Sequence, residues 1–267
     1  MTGVSGPDLV IASCLANVIG SFPTNNCKST EEVDAWLTQI QNARNEARAN
    51  GKPAGALAMN IVIRGNKRLA EDIDVIAKHK PDFVITSVGS PIEYIAPLHD
   101  RGIAVIANVV SMRHVEKALE AGCDGLVLVS GGAGGQTGWA NGMAYGRTVR
   151  SMFSGPLFLA GGIIDGAALW SAITLGYDFA HMGTRFIATH ESMASKEYRD
   201  TLIEVSMDDV ETVVAANGVN AASIKGNRGS AGHTVNAVTE ILATQELVNR
   251  TKAEWDAARA RTRTLLG

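Results

Sequence analysis

The sequence predicts an α/β chain of the (β/α)8 barrel class, and three observations carry the prediction. Seven short apolar runs recur, near residues 15–22, 55–63, 83–88, 103–110, 125–130, 156–160 and 179–183. Segments with helical spacing alternate with them. The length, 267 residues, suits one barrel of roughly 250 residues, although about 150 residues per domain would allow two. Near-continuous hydrophobicity fits parallel strands covered on both faces. Alternating strand and helix implies a parallel sheet with right-handed crossovers. No low-complexity linker or break in composition divides the chain.

Each element has a local reason. A short helix is expected just after Met1–Pro7, and the first strand over 15–22. The next helix carries Val33, Trp36, Leu37 and Ile40 on one face. Ser29 and Glu32 have capping-box spacing at its start, and Gly51 suits a left-handed cap at its end. Asn66–Lys80 places Leu69, Ile73 and Ile76 on one face and stops at Pro81. Ser90-Pro91-Ile92-Glu93 reads as N-cap, first-turn proline and capping acid, with Pro97 shortening or kinking the helix. Val115–Ala121 closes at Gly122. Asp165 caps a helix over Ala168–Leu175 that closes at Gly176. Residues 190–266 are expected to be mostly helical, ending in a polar surface helix. The expected organisation is a barrel over 1–190 and a helical segment over 191–267 packed on it, one domain overall.

Composition excludes several partners. The formal charge is -3 and the pI is near 6.1, with no Lys/Arg run to neutralise phosphodiesters, so nucleic acid is not expected. No apolar run reaches the roughly 18 residues of a membrane span, and the N-terminus lacks a signal-peptide pattern. Cys14, Cys27 and Cys123 have no metal-ligand spacing and suit a reducing, cytoplasmic setting. No metal site is expected.

Barrel chemistry sits at the C-terminal ends of the strands, and three segments there can carry it. Ala160-Gly161-Gly162-Ile163-Ile164-Asp165 ends one strand and opens a helix. Its amides can approach a phosphate, and the helix N-terminus favours an anion. Met182-Gly183-Thr184 ends the next strand and could close the other side of the same phosphate. The loop after the 125–130 strand holds Gly131, Gly132, Gly134, Gly135 and Gly138, which lets backbone pack against a flat or anionic ligand. Asn60, an amide in an apolar run, needs partners if buried and could hydrogen-bond a flat cofactor or a neighbouring loop. His79, His99 and His114 lie on or near helices and read as structural. His181 reads as a buried structural histidine with a backbone hydrogen bond, and Cys123 as a small core residue.

In this order these segments resemble the nitronate monooxygenase, or 2-nitropropane dioxygenase-like, flavoprotein family. Ala58-Met59-Asn60 looks like its Asn-bearing strand. Ala133-Gly134-Gly135-Gln136-Thr137-Gly138 looks like its Ala-Gly-Gly-His-x-Gly loop. Ala160–Ile163 and Met182–Thr189 look like its FMN-phosphate turns, a pattern that Glu191-Ser192 continues. Ser230-Ala231-Gly232-His233 is similar to a Ser-Ala-Gly-Gln segment near the family's C-terminus.

The resemblance implies an FMN-dependent barrel that oxidises a nitronate with O2, an electron passing to FMN. It implies cofactor contacts at Asn60, Gly134, Gly135, Ala160, Gly161, Gly162, Met182, Gly183 and Thr184. Relatives with similar motifs reduce quinones or enoyl thioesters with NAD(P)H, and a non-redox barrel binding a phosphorylated ligand is the rival from another class. The family's catalytic His falls where this chain has Gln136, which cannot act as a base near neutrality but can donate a hydrogen bond to a nitro or carbonyl oxygen. Gln136 and His233 are therefore the candidate catalytic residues, His233 the best placed to replace the missing base. Either the Gly-rich loop or the polar C-terminal helix could serve a homodimer contact.

The family's first strand is expected to be missing. Thr2-Gly3-Val4-Ser5-Gly6-Pro7 looks like the stretch just after it, so either an upstream start is omitted or the barrel has a gap beside the strand at 15–22.

Overall fold

A computed structural model describes residues 1–215, 218–226 and 228–266. The chain forms two compact units. One comprises Met1–Asn108, Glu116–Gly125 and Glu191–Met193; the other comprises Val109–Val115, Leu126–His190 and Ala194–Gly267.

In chain order, the first part of the fold runs through α1 (Pro7–Leu15), β1 (Gly20–Pro23), α2 (Thr30–Ala49), β2 (Leu57–Val62), α3 (Leu69–His79), β3 (Phe83–Ser87), α4 (Ile92–His99) and β4 (Ala104–Val109). Then come α5 (Met112–Glu120) and β5 (Gly125–Val129). The rest comprises β6 (Gly135–Gln136), α6 (Gly142–Arg150), β7 (Leu157–Ala160), α7 (Gly166–Thr174), β8 (Phe179–His181), α8 (Thr184–Ile187), α9 (Lys196–Glu204), β9 (Val210–Val214), β10 (Asn220–Ile224) and α10 (Thr244–Leu266). The large sheet has the order β1-β2-β3-β4-β5-β7-β8, and a small one the order β6-β10-β9. The large sheet holds seven strands among the described residues, not eight, and its sequential order is that of a (β/α) barrel short of one strand.

In the first unit β1 pairs with β2, β2 with β3 and β3 with β4, all in parallel. Phe22, Leu57, Met59, Ile61, Val84 and Val105 are fully buried, as strands covered on both faces require. Helix α2 buries Val33, Leu37, Ile40, Arg44 and Ala47 along one stripe. Ser29 caps it by accepting from the Glu32 amide, and the Glu32 carboxylate accepts from the Lys28 amide, one residue earlier than a capping box would have it. The apolar run 15–22 divides differently from expectation. Leu15 closes α1, Asn17 turns the chain at φ 61°, and Gly20 begins the strand. A short apolar run does not by itself separate helix from strand.

In the second unit β5 pairs with β7 and β7 with β8 in parallel. Phe158 stacks on Phe179 with ring centroids 4.5 Å apart. Cys123, in the first unit, is a core residue whose thiol burial pushes up to about 12. Besides its helices, the region 190–266 holds two strands that were not expected: β9 and β10 form an antiparallel pair there, and β10 also pairs with β6. The β-branched composition of Val210–Val214 suits the strand better than a helix.

One device recurs at the starts of the strands. Asp82 accepts from the Leu57 amide at 2.7 Å and pairs with Arg44 at 2.6 Å. Asp124 accepts from the Val105 amide at 2.7 Å and meets His99 at 2.8 Å. Asp178 accepts from the Leu157 amide at 2.9 Å and pairs with Arg150 at 2.6 Å. Each aspartate stands just before its own strand and clips an amide at the start of the preceding one to a basic side chain on an earlier helix, Arg44, His99 or Arg150. Replacing Asp82 by alanine leaves the buried Leu57 amide and the buried Arg44 guanidinium each short of an acceptor. The expected loss is about 2 kcal/mol, read as a lower urea midpoint at unchanged m-value. A loss below about 0.5 kcal/mol, the scale of an ordinary surface substitution, would contradict the clip.

Candidate functional site

The second unit brings three glycine segments together. Ser130 follows β5, and both its amide and its hydroxyl donate to the Ala160 carbonyl, each at 2.9 Å. This ties the start of the Gly-rich loop to the end of β7. The loop is not a loose one. The Gly131 amide donates to the Ala140 carbonyl, Thr137 to Asn220, and Gly135-Gln136 pairs as β6 with Ala222 and Ala221 of β10.

The segment Ala231-Gly232-His233 crosses this loop backbone to backbone. The Gly232 amide donates to Thr184 Oγ1 at 2.9 Å, and the His233 amide donates to the Gly132 carbonyl at 3.0 Å. A Cβ on Gly134 would lie 2.6 Å from the Gly232 nitrogen and 3.0 Å from Thr184 Oγ1, and one on Gly232 would lie 2.5 Å from the Gly132 oxygen. The crossing therefore needs glycine at both positions. The His233 ring rests against Gly132, where an added Cβ would meet Nδ1 at 2.6 Å, and the residue is exposed. Gln136 is half-buried.

The turn after β7 passes through Gly161 at φ 106° and Gly162 at φ 77°, a conformation that favours glycine. A Cβ on Gly162 would enter open space, whereas one on Gly161 would strike Ser130 Oγ. Among the described residues no protein acceptor takes the amides of Gly162, Ile163 or Gly183. Three donors without an acceptor, on turns that end neighbouring strands β7 and β8, suit a phosphate. Ala160 is buried at the end of β7, and Met182 is half-buried after β8.

The start of α7 contributes differently from expectation. Asp165 does cap it, accepting from the Ala168 amide at 2.7 Å, but Glu254 of α10 accepts from the Gly166 amide at 2.9 Å. Two carboxylates already occupy this helix N-terminus, so the donors left for an anion are those of the preceding turn. Arg185, only 6% exposed, donates through its guanidinium to the Ile164 carbonyl. Burial lowers its pKa. Burial also draws the His181 imidazole down to about 4, so at neutral pH it adds no positive charge beside the β8 turn.

Asn60 belongs to the other unit, on β2, where its Oδ1 accepts from Ser87 Oγ at 3.2 Å. The sequence pointed to every segment named here except the partners from distant parts of the chain. The Gly232 crossing, Glu254 and the Arg185 bond had no local signal beyond small residues and an arginine after a turn.

A family model described as nitronate monooxygenase matches residues 28–257. A CoA-thioester dehydrogenase of Rhodococcus jostii, named for (3aS,4S,5R,7aS)-5-hydroxy-7a-methyl-1-oxo-octahydro-1H-indene-4-carboxyl-CoA, is 27% identical over 220 residues, 82% of this chain and 59% of its own. A nitronate monooxygenase of Paraburkholderia phytofirmans is 29% identical over 160 residues, 56% of this chain and 44% of its own. The chain thus spans less than two thirds of the length of these relatives. Among solved structures, FabK from Thermotoga maritima superposes with TM-score 0.88 at 20% identity, over 99% of this chain and 93% of that one. Nitroalkane oxidase from Streptomyces ansochromogenes superposes with TM-score 0.84 at 19% identity, over 97% and 94%. At these identities the superpositions establish the fold. The family match, over most of the chain, establishes that this chain belongs to the nitronate monooxygenase family.

Proposed function

We propose that this chain binds FMN and oxidises nitronates with O2. The observation that carries the proposal is the set of acceptor-free amides at Gly162, Ile163 and Gly183, held beside the pinned 130–138 loop. Backbone amides and the open side of Gly162 fit a phosphate. The exposed His233 stands on the segment that crosses this loop, and the half-buried Gln136 stands on the loop itself, as part of β6. When bound, FMN supplies the electron acceptor. Gly162, Ile163 and Gly183 hold its phosphate, while Thr184 fixes the crossing through Gly232. Gln136 donates a hydrogen bond to a nitro oxygen, and His233 is the group able to take a proton. The cofactor role of Asn60 rests on the resemblance alone.

A nitronate arrives already deprotonated and has no need of the base that Gln136 cannot supply. The expected result is a flavin absorbance between roughly 350 and 500 nm that a nitronate bleaches anaerobically, and a kcat/KM for the neutral nitroalkane about a hundredfold or more below that for its nitronate, the usual worth of a general base. Comparable kcat/KM for the two forms would sink the proposal. Bleaching by NADH or NADPH would favour a reductase instead, and a protein that stays colourless with added FMN a non-redox ligand site.

A second reading, a dehydrogenase of CoA thioesters, is favoured by a specific observation. The relatives of that name in Rhodococcus jostii and Mycobacterium tuberculosis each match over 82% of this chain, against 56% for the nitronate monooxygenase of Paraburkholderia phytofirmans. Gln136 would then bond a substrate carbonyl. Bleaching by a hydroxyacyl-CoA and none by a nitronate would select it.

A further inference from the structure

We propose that Arg185 is a positioning residue that makes the β7 and β8 turns tolerant of a phosphate dianion, by holding the Ile164 carbonyl and offsetting the carboxylates of Asp165 and Glu254. The proposal rests on the FMN reading above and extends it to a residue that touches neither flavin nor substrate.

The problem it solves is electrostatic. The turn Gly161-Gly162-Ile163 leads straight into Asp165, whose carboxylate sits on the Ala168 amide. Glu254 reaches the Gly166 amide from α10. Two negative groups therefore satisfy the helix end that would otherwise attract an anion, and a phosphate on the preceding turn would be repelled by both. Opposite charges nearby are needed to reverse the sign.

Arg185 is placed to do this. It follows Gly183-Thr184 directly, is buried, and donates to Ile164, three residues after Gly161. It thereby ties one glycine turn to the other. Among the described residues no carboxylate lies within ion-pair distance of it, yet Glu254 and Asp165 both act on it electrostatically. Arg250, a second cation acting on it, is already engaged by Glu240 at 3.0 Å and Glu246 at 3.6 Å. A guanidinium stays charged when buried, so this position holds a permanent positive charge where two carboxylates and a phosphate would meet.

The test compares FMN with riboflavin, which lacks the phosphate. Flavin-free protein is titrated with each by flavin fluorescence, and its thermal melt recorded, for wild type, Arg185→Met, Arg185→Lys, Glu254→Gln and the double variant Arg185→Met with Glu254→Gln. Arg185→Met should weaken FMN by about tenfold or more, the scale of a charge-assisted contact, and leave riboflavin unchanged within about twofold. Arg185→Lys should recover part of the loss. Glu254→Gln keeps an acceptor for Gly166 but drops the charge, so it should tighten FMN alone, and the double variant should regain affinity over Arg185→Met. Equal weakening for both flavins would mean a structural role and overturn the proposal, as would unchanged FMN affinity. Should Arg185→Met fail to fold, Glu254→Gln decides: no phosphate-selective change overturns the proposal. Wild-type protein that binds neither flavin would overturn the FMN reading itself, and this proposal with it, a result distinct from selective failure in the variants.

Discussion

Replacing Gln136 by histidine should raise kcat/KM for neutral nitroalkanes by about a hundredfold or more, the usual worth of a positioned general base, while changing the value for nitronates little. Gln136 occupies β6, where its backbone pairs with Ala221. That pairing involves only main chain, so an imidazole of similar length takes the same half-buried position without disturbing the loop. The gain should carry a pH signature. Imidazole is a base only above its pKa, near 6.5 when unperturbed, so the nitroalkane rate should rise through that region and level off above it. The nitronate rate, which asks for no base, should show no such limb. Matched flavin content for the two proteins, read from the visible spectrum, separates chemistry from cofactor loss. An unchanged nitroalkane rate at equal flavin content would mean that residue 136 does not face the substrate carbon. The same experiment with His233→Ala in both backgrounds assigns any residual base: loss of residual nitroalkane activity in the Gln136 protein would place that proton on His233.

What could be read from the chain alone follows the range of the forces involved. The strand and helix alternation rests on local hydrophobic period, and six of the seven expected strands overlap β2, β3, β4, β5, β7 and β8 almost end to end. Caps are local as well, so Ser29 and Asp165 were legible. The glycines at 161 and 162 marked a turn whose amides could approach a phosphate, and both adopt positive φ there. The strand at 15–22 was misjudged because helix and strand compete for a short apolar run, and Asn17 ends the contest in favour of a turn. The β9–β10 pair had a local signal in the β-branched run Val210–Val214, whereas the pairing of β10 with Gly135-Gln136 joins segments far apart and had none. The aspartate clips had a visible half, an Asp before each of three apolar runs, and a hidden half, the Arg and His partners on earlier helices. The occupation of the α7 start by Glu254 joins residues 88 apart, and nothing local announces it. The site's backbone donors were thus predictable, and its charge balance was not.

That charge balance depends on one close crossing, which makes Gly166→Ala the stability change with the largest expected effect. Gly166 opens α7, and on helix propensity alone alanine would be preferred there by up to about 1 kcal/mol. The tertiary context reverses the sign. An alanine Cβ would lie 2.2 Å from both the Thr251 oxygen and the Trp255 nitrogen, and both atoms are backbone of α10, unable to swing aside as a side chain could. Overpacking of this kind costs about 3 kcal/mol or more, which for a chain of this size lowers Tm by about 6–12 °C. The α10 helix must shift to relieve it, moving Glu254 off the Gly166 amide and separating the Trp170–Trp255 edge contact at 6.0 Å over which Arg259 lies. Gly162→Ala is the complementary case. Its Cβ meets nothing within 4 Å, and only the positive φ opposes it, at about 1–2 kcal/mol. The added methyl, however, stands on the side of the turn where a phosphate would come. Thermal melts and FMN titrations on the two variants should therefore dissociate: Gly166→Ala loses more Tm, and Gly162→Ala loses FMN affinity beyond what its smaller Tm change explains. If both variants lost stability and affinity in proportion, the turn at Gly162 would be scaffold only, and the phosphate would have to sit elsewhere.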